Sequence, residues 1–247
     1  MLITLPNTFG NAATNMAIDA SLLETLPEGI AVFRHYGWIE PSITFGYSQP
    51  FNEVRTATSR DKQENESEAS TLTFCRRLTG GGIVDHRNDW TYALILQKAL
   101  PAAQLEATQL YEQIHRAISN TLRQSELTTS LAPCPRHCDE SPGQANAISR
   151  CFVSPAANDV LGHDGRKIAG AALKRTRQGL LVQGSLDRGA LPDAFEFDSF
   201  QGRLIQEFAS TLKLSIDEPE DLRPLFRAEV IEEKTRQFQS EAWNQKR

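Results

Sequence analysis

The chain has 247 residues, 40% hydrophobic and 23% charged, enough apolar material to bury a core without disulfides or a structural metal. Its formal charge of −5 argues against a general nucleic-acid binder, which needs a basic face to release counterions. No apolar run is long enough to span a membrane, and MLITLPNTFGNAATNM has no leader-like basic or apolar region, so cytoplasm is the expected compartment, with Cys75, Cys134, Cys138 and Cys151 as free thiols.

In chain order, NAATNMAIDASLLETLP reads as a helix capped by Thr14 or Asn15, with Pro27 past its end. IAVFRHYGW and PSITFGYSQ are rich in β-branched and aromatic residues and read as strands, interrupted by Gly37, Glu40 and Pro41. TATSRDKQENESEAS is charged and aperiodic, as expected of an exposed, mobile loop. TLTFCRRL is another strand, running into three glycines. WTYALILQ has a mostly apolar body and is expected in the middle of a sheet. LEATQLYEQIHRAISNTLRQS is the clearest helix, with Leu110, Ile114, Ala117, Ile118 and Leu122 on one face. LAPCPRHCDESPGQANAISR is loop-like. CFVSPAANDVLG and RKIAGAALKRT read as strands paired across GHDG, and GLLVQGSLD continues the set. From Pro192 the chain carries short helical segments, FQGRLIQEFASTL and AEVIEEKTRQFQSEAW. Hairpin signals outnumber βαβ alternation. The expectation is a single α+β domain over 1–247 with a largely antiparallel or mixed sheet and a small helical tail from about 190.

Two segments are unusual for packing alone. RRLTGGGIVDH lies between strands and is neither a P-loop nor a dinucleotide fingerprint. It is either a glycine-rich turn or a backbone that a ligand approaches closely, its N–H groups facing a carbonyl or phosphate. Arg76 and Arg77 could supply charge there, but strand alternation aims only one of them at the site. His86 either orients a substrate or is structural. In GRKIAGAALKRT, Lys167 has small neighbours, including Gly170 and Ala171, which leave room for a ligand and partly desolvate the ammonium. The alternative is a lysine that snorkels to the sheet edge. Lys174, Arg175 and Arg177 form a solvated basic turn or a dock for an acidic partner. Cys151 comes shortly before the Lys167 strand, and a cation beside a thiol favours the nucleophilic thiolate. Cys75 is expected in the core. CPRHC, with Cys134, His137 and Cys138, is half a metal site with no second half, so no metal is expected.

RRLTGGGIVDH followed by GRKIAGAALKRTRQGLLVQGSLD resembles the lipoate–protein ligase and octanoyltransferase family, whose fold is shared with biotin–protein ligases. TNMAIDASLL, SITFGYSQ and EKTRQFQSEAWN extend the resemblance over nearly the whole chain. It implies a mixed, mainly antiparallel sheet with packed helices, a biotin/lipoyl ligase-like catalytic domain. The implied reaction attaches a lipoyl or octanoyl group to a lysine of a lipoyl-carrier domain, of glycine-cleavage H protein or 2-oxoacid dehydrogenase E2 type. Gly80, Gly81 and Gly82 would line the acyl tunnel, and Lys167 would hold the acyl carbonyl. In the transferase branch octanoate comes from acyl carrier protein through an acyl-enzyme on Cys151, with no cofactor. In the ligase branch ATP and Mg²⁺ make an acyl-adenylate. Cys151 before F-x-x-P, NDWTYAL, and the expected lack of an accessory domain favour the transferase; the full triple glycine is ligase-like. Arg87 departs from the family, which usually has Asp after the histidine. A non-catalytic acyl-carrier-binding homologue is disfavoured by the intact Lys167 and Cys151, and biotin transfer by the absence of a GRGR loop. No nucleic acid or membrane partner is expected.

Overall fold

The computed structural model of the chain describes residues 1–59, 72–133 and 155–246. Most of the expected polar loop, the CPRHC segment and Cys151 lie outside the described residues. In order, the elements are β1 (Leu2–Thr4), β2 (Thr8–Gly10), α1 (Ala12–Thr25), β3 (Ala31–Trp38), β4 (Ser42–Phe45), α2 (Phe51–Ser59), β5 (Thr73–Arg76), β6 (Val84–Asp85) and β7 (Asp89–Gln97). There follow α3 (Pro101–Gln104), α4 (Ala107–Arg123), β8 (Thr129–Leu131), β9 (Val160–Gly162), β10 (Lys167–Arg175) and β11 (Gly179–Asp187). The C-terminal part adds α5 (Phe197–Leu212), β12 (Ile216–Asp217), α6 (Ala228–Gln239) and α7 (Glu241–Asn244).

Among the described residues the main sheet runs β12-β1-β3-β7-β11-β10-β9-β8, with β2 beside β3. Its body, from β3 to β8, is antiparallel; β1 pairs in parallel with β3 and β12. As its apolar sequence predicts, β7 is central, flanked by β3 and β11 and buried along its length. One face packs on α4 and α5 through Phe33, Trp90, Leu94, Ile114, Phe200 and Phe208. The other packs on α1 and α6 through Met16, Val32, Ile95, Leu181 and Phe238. A small sheet, β5-β4-β6, carries its own cluster of Ile43, Phe45, Val54 and Ile83.

Local differences from the expected elements have physical causes. The cap of α1 is Asn11, whose side chain accepts the Thr14 N–H at 2.8 Å; Asn15 is buried one turn on and donates to the Gly10 and Gly37 carbonyls. The start of the expected polar loop, Thr56–Ser59, completes α2, which exists because Val54 buries against the small sheet. The strand expected over CFVSPAANDVLG is, among its described residues, only Val160–Gly162, because a turn with Asn158 at φ +68° precedes it. The last helix breaks at Ser240, whose hydroxyl oxygen accepts the Trp243 N–H and restarts the chain as α7.

Candidate active site

Strand register builds a cavity on the α1 face of the sheet. Gly170, Ser185, Thr91 and Tyr36 pair in one row from β10 to β3, and Ala172, Gln183, Ala93 and Arg34 form the next row on the same face. At β10 these rows carry only glycine and alanine, so a space remains above them. Met16 of α1, with Gly81, Val84 and His86 of the glycine segment, completes the wall. The cavity holds about 410 Å³ of empty space, including its open mouth. Gly170, Ala171, Arg77, Gly81 and His86 all border it, so the two motifs meet here.

Lys167 opens β10 and does not itself line the cavity; its side chain packs against Gly170, which does. Its ammonium pairs with Asp159 Oδ2 at 2.8 Å, and both side chains are at most 4% exposed. A Cβ built on Gly170 would stand 2.4 Å from Lys167 Cε and 2.5 Å from Nζ. The missing side chain at Gly170 therefore makes room for the lysine itself. Asp159 also accepts the Ala156 N–H at 2.6 Å, which suits a buried carboxylate that must be both paired and hydrogen-bonded.

The glycine loop is shaped by Arg77. Its guanidinium donates to the Gly80 and Gly82 carbonyls at 2.9 and 2.8 Å and to Thr44 Oγ1 at 2.7 Å. Gly81 takes φ +84°, and its carbonyl would lie 2.1 Å from a Cβ on Gly46, so the loop closes onto a second glycine. Gly81 alone of the triplet borders the cavity; Gly80 and Gly82 turn their carbonyls to Arg77. His86 Nδ1–H donates to the Asp89 Oδ2 carboxylate oxygen at 2.8 Å, and Thr44 Oγ1, which accepts from Arg77, lies 2.7 Å from His86 Nε2. Trp38 stacks on the imidazole with centroids 3.9 Å apart. Asp89 Oδ2 also accepts from Thr91 and Ser185. The acid that serves His86 is thus Asp89, while Arg87, at the position where the resemblance places an acid, pairs with Asp85 at the surface.

Arg76, expected as a substrate contact, lies elsewhere. Its five N–H donors end on the carbonyls of Tyr47, Gln49, Trp243, Asn244 and Lys246. No donor is left for a ligand, since a guanidinium has five. Cys75 is buried, and desolvation pushes its thiol up to about 12, so it suits the core position expected of it.

Several polar residues of the site carry no motif in the sequence. Gln183 accepts from Thr79 at 2.8 Å and donates to Asp19 at 2.7 Å. Asp19 pairs with Arg34 at 2.6 Å, fully buried beneath the cavity wall. The clue for Asp159 was an acid inside AANDVLG, directly before a strand; for Asp89 it was the first acid after the missing one.

The family model for the lipoyl protein ligase A/B catalytic domain matches residues 11–197. The octanoyltransferase LipM of Halalkalibacterium halodurans is 31% identical over 194 residues, which cover 76% of this chain and 67% of that one. The octanoyltransferase LipM of Anoxybacillus flavithermus is 32% identical over 208 residues, covering 79% and 70%. Among solved structures, a lipoate-protein ligase A bound with ATP has a TM-score of 0.71 at 19% identity, covering 98% of this chain and 97% of that one. A bi-partite lipoate protein ligase from Thermoplasma acidophilum has a TM-score of 0.68 at 20% identity, covering 98% and 95%. These two share the mixed α+β fold.

Proposed function

Since the chain belongs to the lipoyl protein ligase A/B catalytic-domain family, we propose that it transfers an octanoyl group from acyl carrier protein to a lysine of a lipoyl-carrier domain. The observation that carries this reading is the kinship: the relatives that align over three-quarters of the chain are named octanoyltransferases. The chemistry of the cavity suits an alkyl chain, since its lining is mostly apolar, and Gly170, which borders it, carries the Lys167 side chain packed against it.

In this reading Cys151 attacks the octanoyl thioester as its thiolate, its thiol proton ends on the departing carrier sulfur, and a Cys151 thioester remains. The lysine amine of the acceptor then attacks the same carbonyl, an amide forms, and Cys151 is released as the thiol, carrying the proton that the amine gives up. Each tetrahedral intermediate places negative charge on the carbonyl oxygen, and Lys167 stabilises it. A thioester goes in and an amide comes out, so no ATP is consumed.

The full triple glycine supports a second reading, an ATP-dependent ligase with Mg²⁺. Arg76 and Arg77 weigh against it: Arg76 is spent on backbone carbonyls, and Arg77 donates to Thr44 and to the glycine loop, so neither arginine presents a fork to a triphosphate. The test is to incubate the full chain and a lipoyl domain with either octanoyl–acyl carrier protein alone or octanoate, ATP and Mg²⁺. Modification in the first mixture, lost in Lys167→Ala, is the expected result. Modification only in the second would replace the transferase by the ligase.

A further inference from the structure

Behind the Lys167–Asp159 pair stands a residue that no motif marks. Tyr111, on α4, donates its hydroxyl proton to Asp159 Oδ1, and the Tyr111 hydroxyl oxygen accepts the Ala171 N–H at 3.3 Å. Asp159 Oδ2 meanwhile holds Lys167 Nζ at 2.8 Å and the Ala156 N–H at 2.6 Å. Both carboxylate oxygens are therefore fixed, one by the helix and one by the lysine. Tyr111 is itself held from one turn on. The His115 ring lies 4.0 Å from the Tyr111 ring, and its Nδ1–H donates to the Tyr111 carbonyl at 2.9 Å. The contact to Ala171 has a second consequence. Ala171 borders the cavity next to Gly170, so one hydroxyl ties helix α4 to both the lysine's counter-ion and the cavity's own backbone.

We propose that Tyr111 is a positioning residue: it locks the Asp159 carboxylate and the Ala171 peptide so that the Lys167 ammonium stays over Gly170, at the carbonyl end of the acyl cavity. The assignment of that end rests on the acyl-transfer reading above. Without the hydroxyl, Asp159 Oδ1 loses a donor. With that oxygen no longer held by the helix, the carboxylate can turn and carry the ammonium with it. Among the described residues, the other titratable groups facing the pair are His115 from α4 and Tyr92 from β7. Burial lowers His115 to about 4 and raises Tyr92, so both stay neutral near pH 7 and neither substitutes for the lost hydroxyl.

Two measurements on the full chain test this, one of them independent of any substrate. Trace acetylation with acetic anhydride at one pH, read by mass spectrometry on the Lys167 peptide, follows how far the buried amine is held out of reach. In Tyr111→Phe the labelling rate of Lys167 rises by at least about threefold. In the transfer assay kcat falls about tenfold, while KM for either carrier protein stays within about twofold, as expected when orientation rather than docking is lost. Tyr111→Leu repeats both measurements in a differently packed background. An unchanged Lys167 labelling rate in both variants, or an unchanged kcat, overturns the proposal. A wild-type chain that modifies no lipoyl domain from either donor overturns the transfer reading instead, because the labelling shift needs no acyl donor.

Discussion

Gly170 is glycine because Lys167 occupies the space a side chain would need. In Gly170→Ala the new Cβ meets the end of a flexible side chain rather than backbone, so the lysine moves and the fold survives. The expected outcome is a loss of transfer of at least about tenfold with a Tm within about 4 °C of wild type. Assay and thermal melt together check it; a fully active variant would detach Lys167 from the chemistry. The small residues around this lysine were legible in GRKIAGAA; that Gly170 leaves room for the lysine's own side chain was not. The two arginines divide in the same way. Alternation along β5 predicts that one faces the site, and Arg77 does. The partners of Arg76 were not legible, because backbone carbonyls from the far end of the chain leave no trace in local sequence.

At the scale of elements, α4 was the most readable, since its apolar stripe falls where the periodicity puts it. What the stripe hid were Tyr111 and His115, polar residues on a helix whose buried face also meets the edge of β10. Hydropathy marks a polar residue as outward, and only the sheet supplies the partner that makes it inward. The buried His115 has a consequence for stability. Its pKa is about 4, below the ordinary 6.5, because burial disfavours the charged ring. From pH 6.5 down to about 4 the unfolded chain therefore binds a proton that the folded chain does not. Its stabilising contribution is complete above pH 6.5 and is lost as the pH falls through that window, by roughly 3 kcal/mol in total. Urea unfolding of wild type and His115→Asn at pH 7 and pH 4.5 checks this. The wild type should lose more stability than the variant, and equal losses would mean that the ring is not held neutral.

For the whole molecule, the fold follows from one sheet buried on both faces. Alternation in β3, β7 and β11 feeds a core under α4 and α5 and another under α1 and α6. The long strands and helices were legible because each carries enough residues for a period to show. The short strands β1, β2, β8 and β12, of two or three residues, were not, since pairing rather than pattern defines them. The same architecture sets the site: the register of four strands makes the cavity floor, α1 and the glycine loop close it, and the C-terminal segment grips Arg76 beside that loop. The central claim is that this cavity receives an octanoyl chain whose carbonyl passes through Cys151. It is tested most directly by mixing the full chain with octanoyl–acyl carrier protein, without ATP or acceptor, and measuring intact mass and peptide masses. The account predicts a gain of one octanoyl group, located on Cys151 and absent from Cys151→Ala. An unmodified protein that nevertheless transfers octanoate to a lipoyl domain, or a group found on another residue, would contradict it.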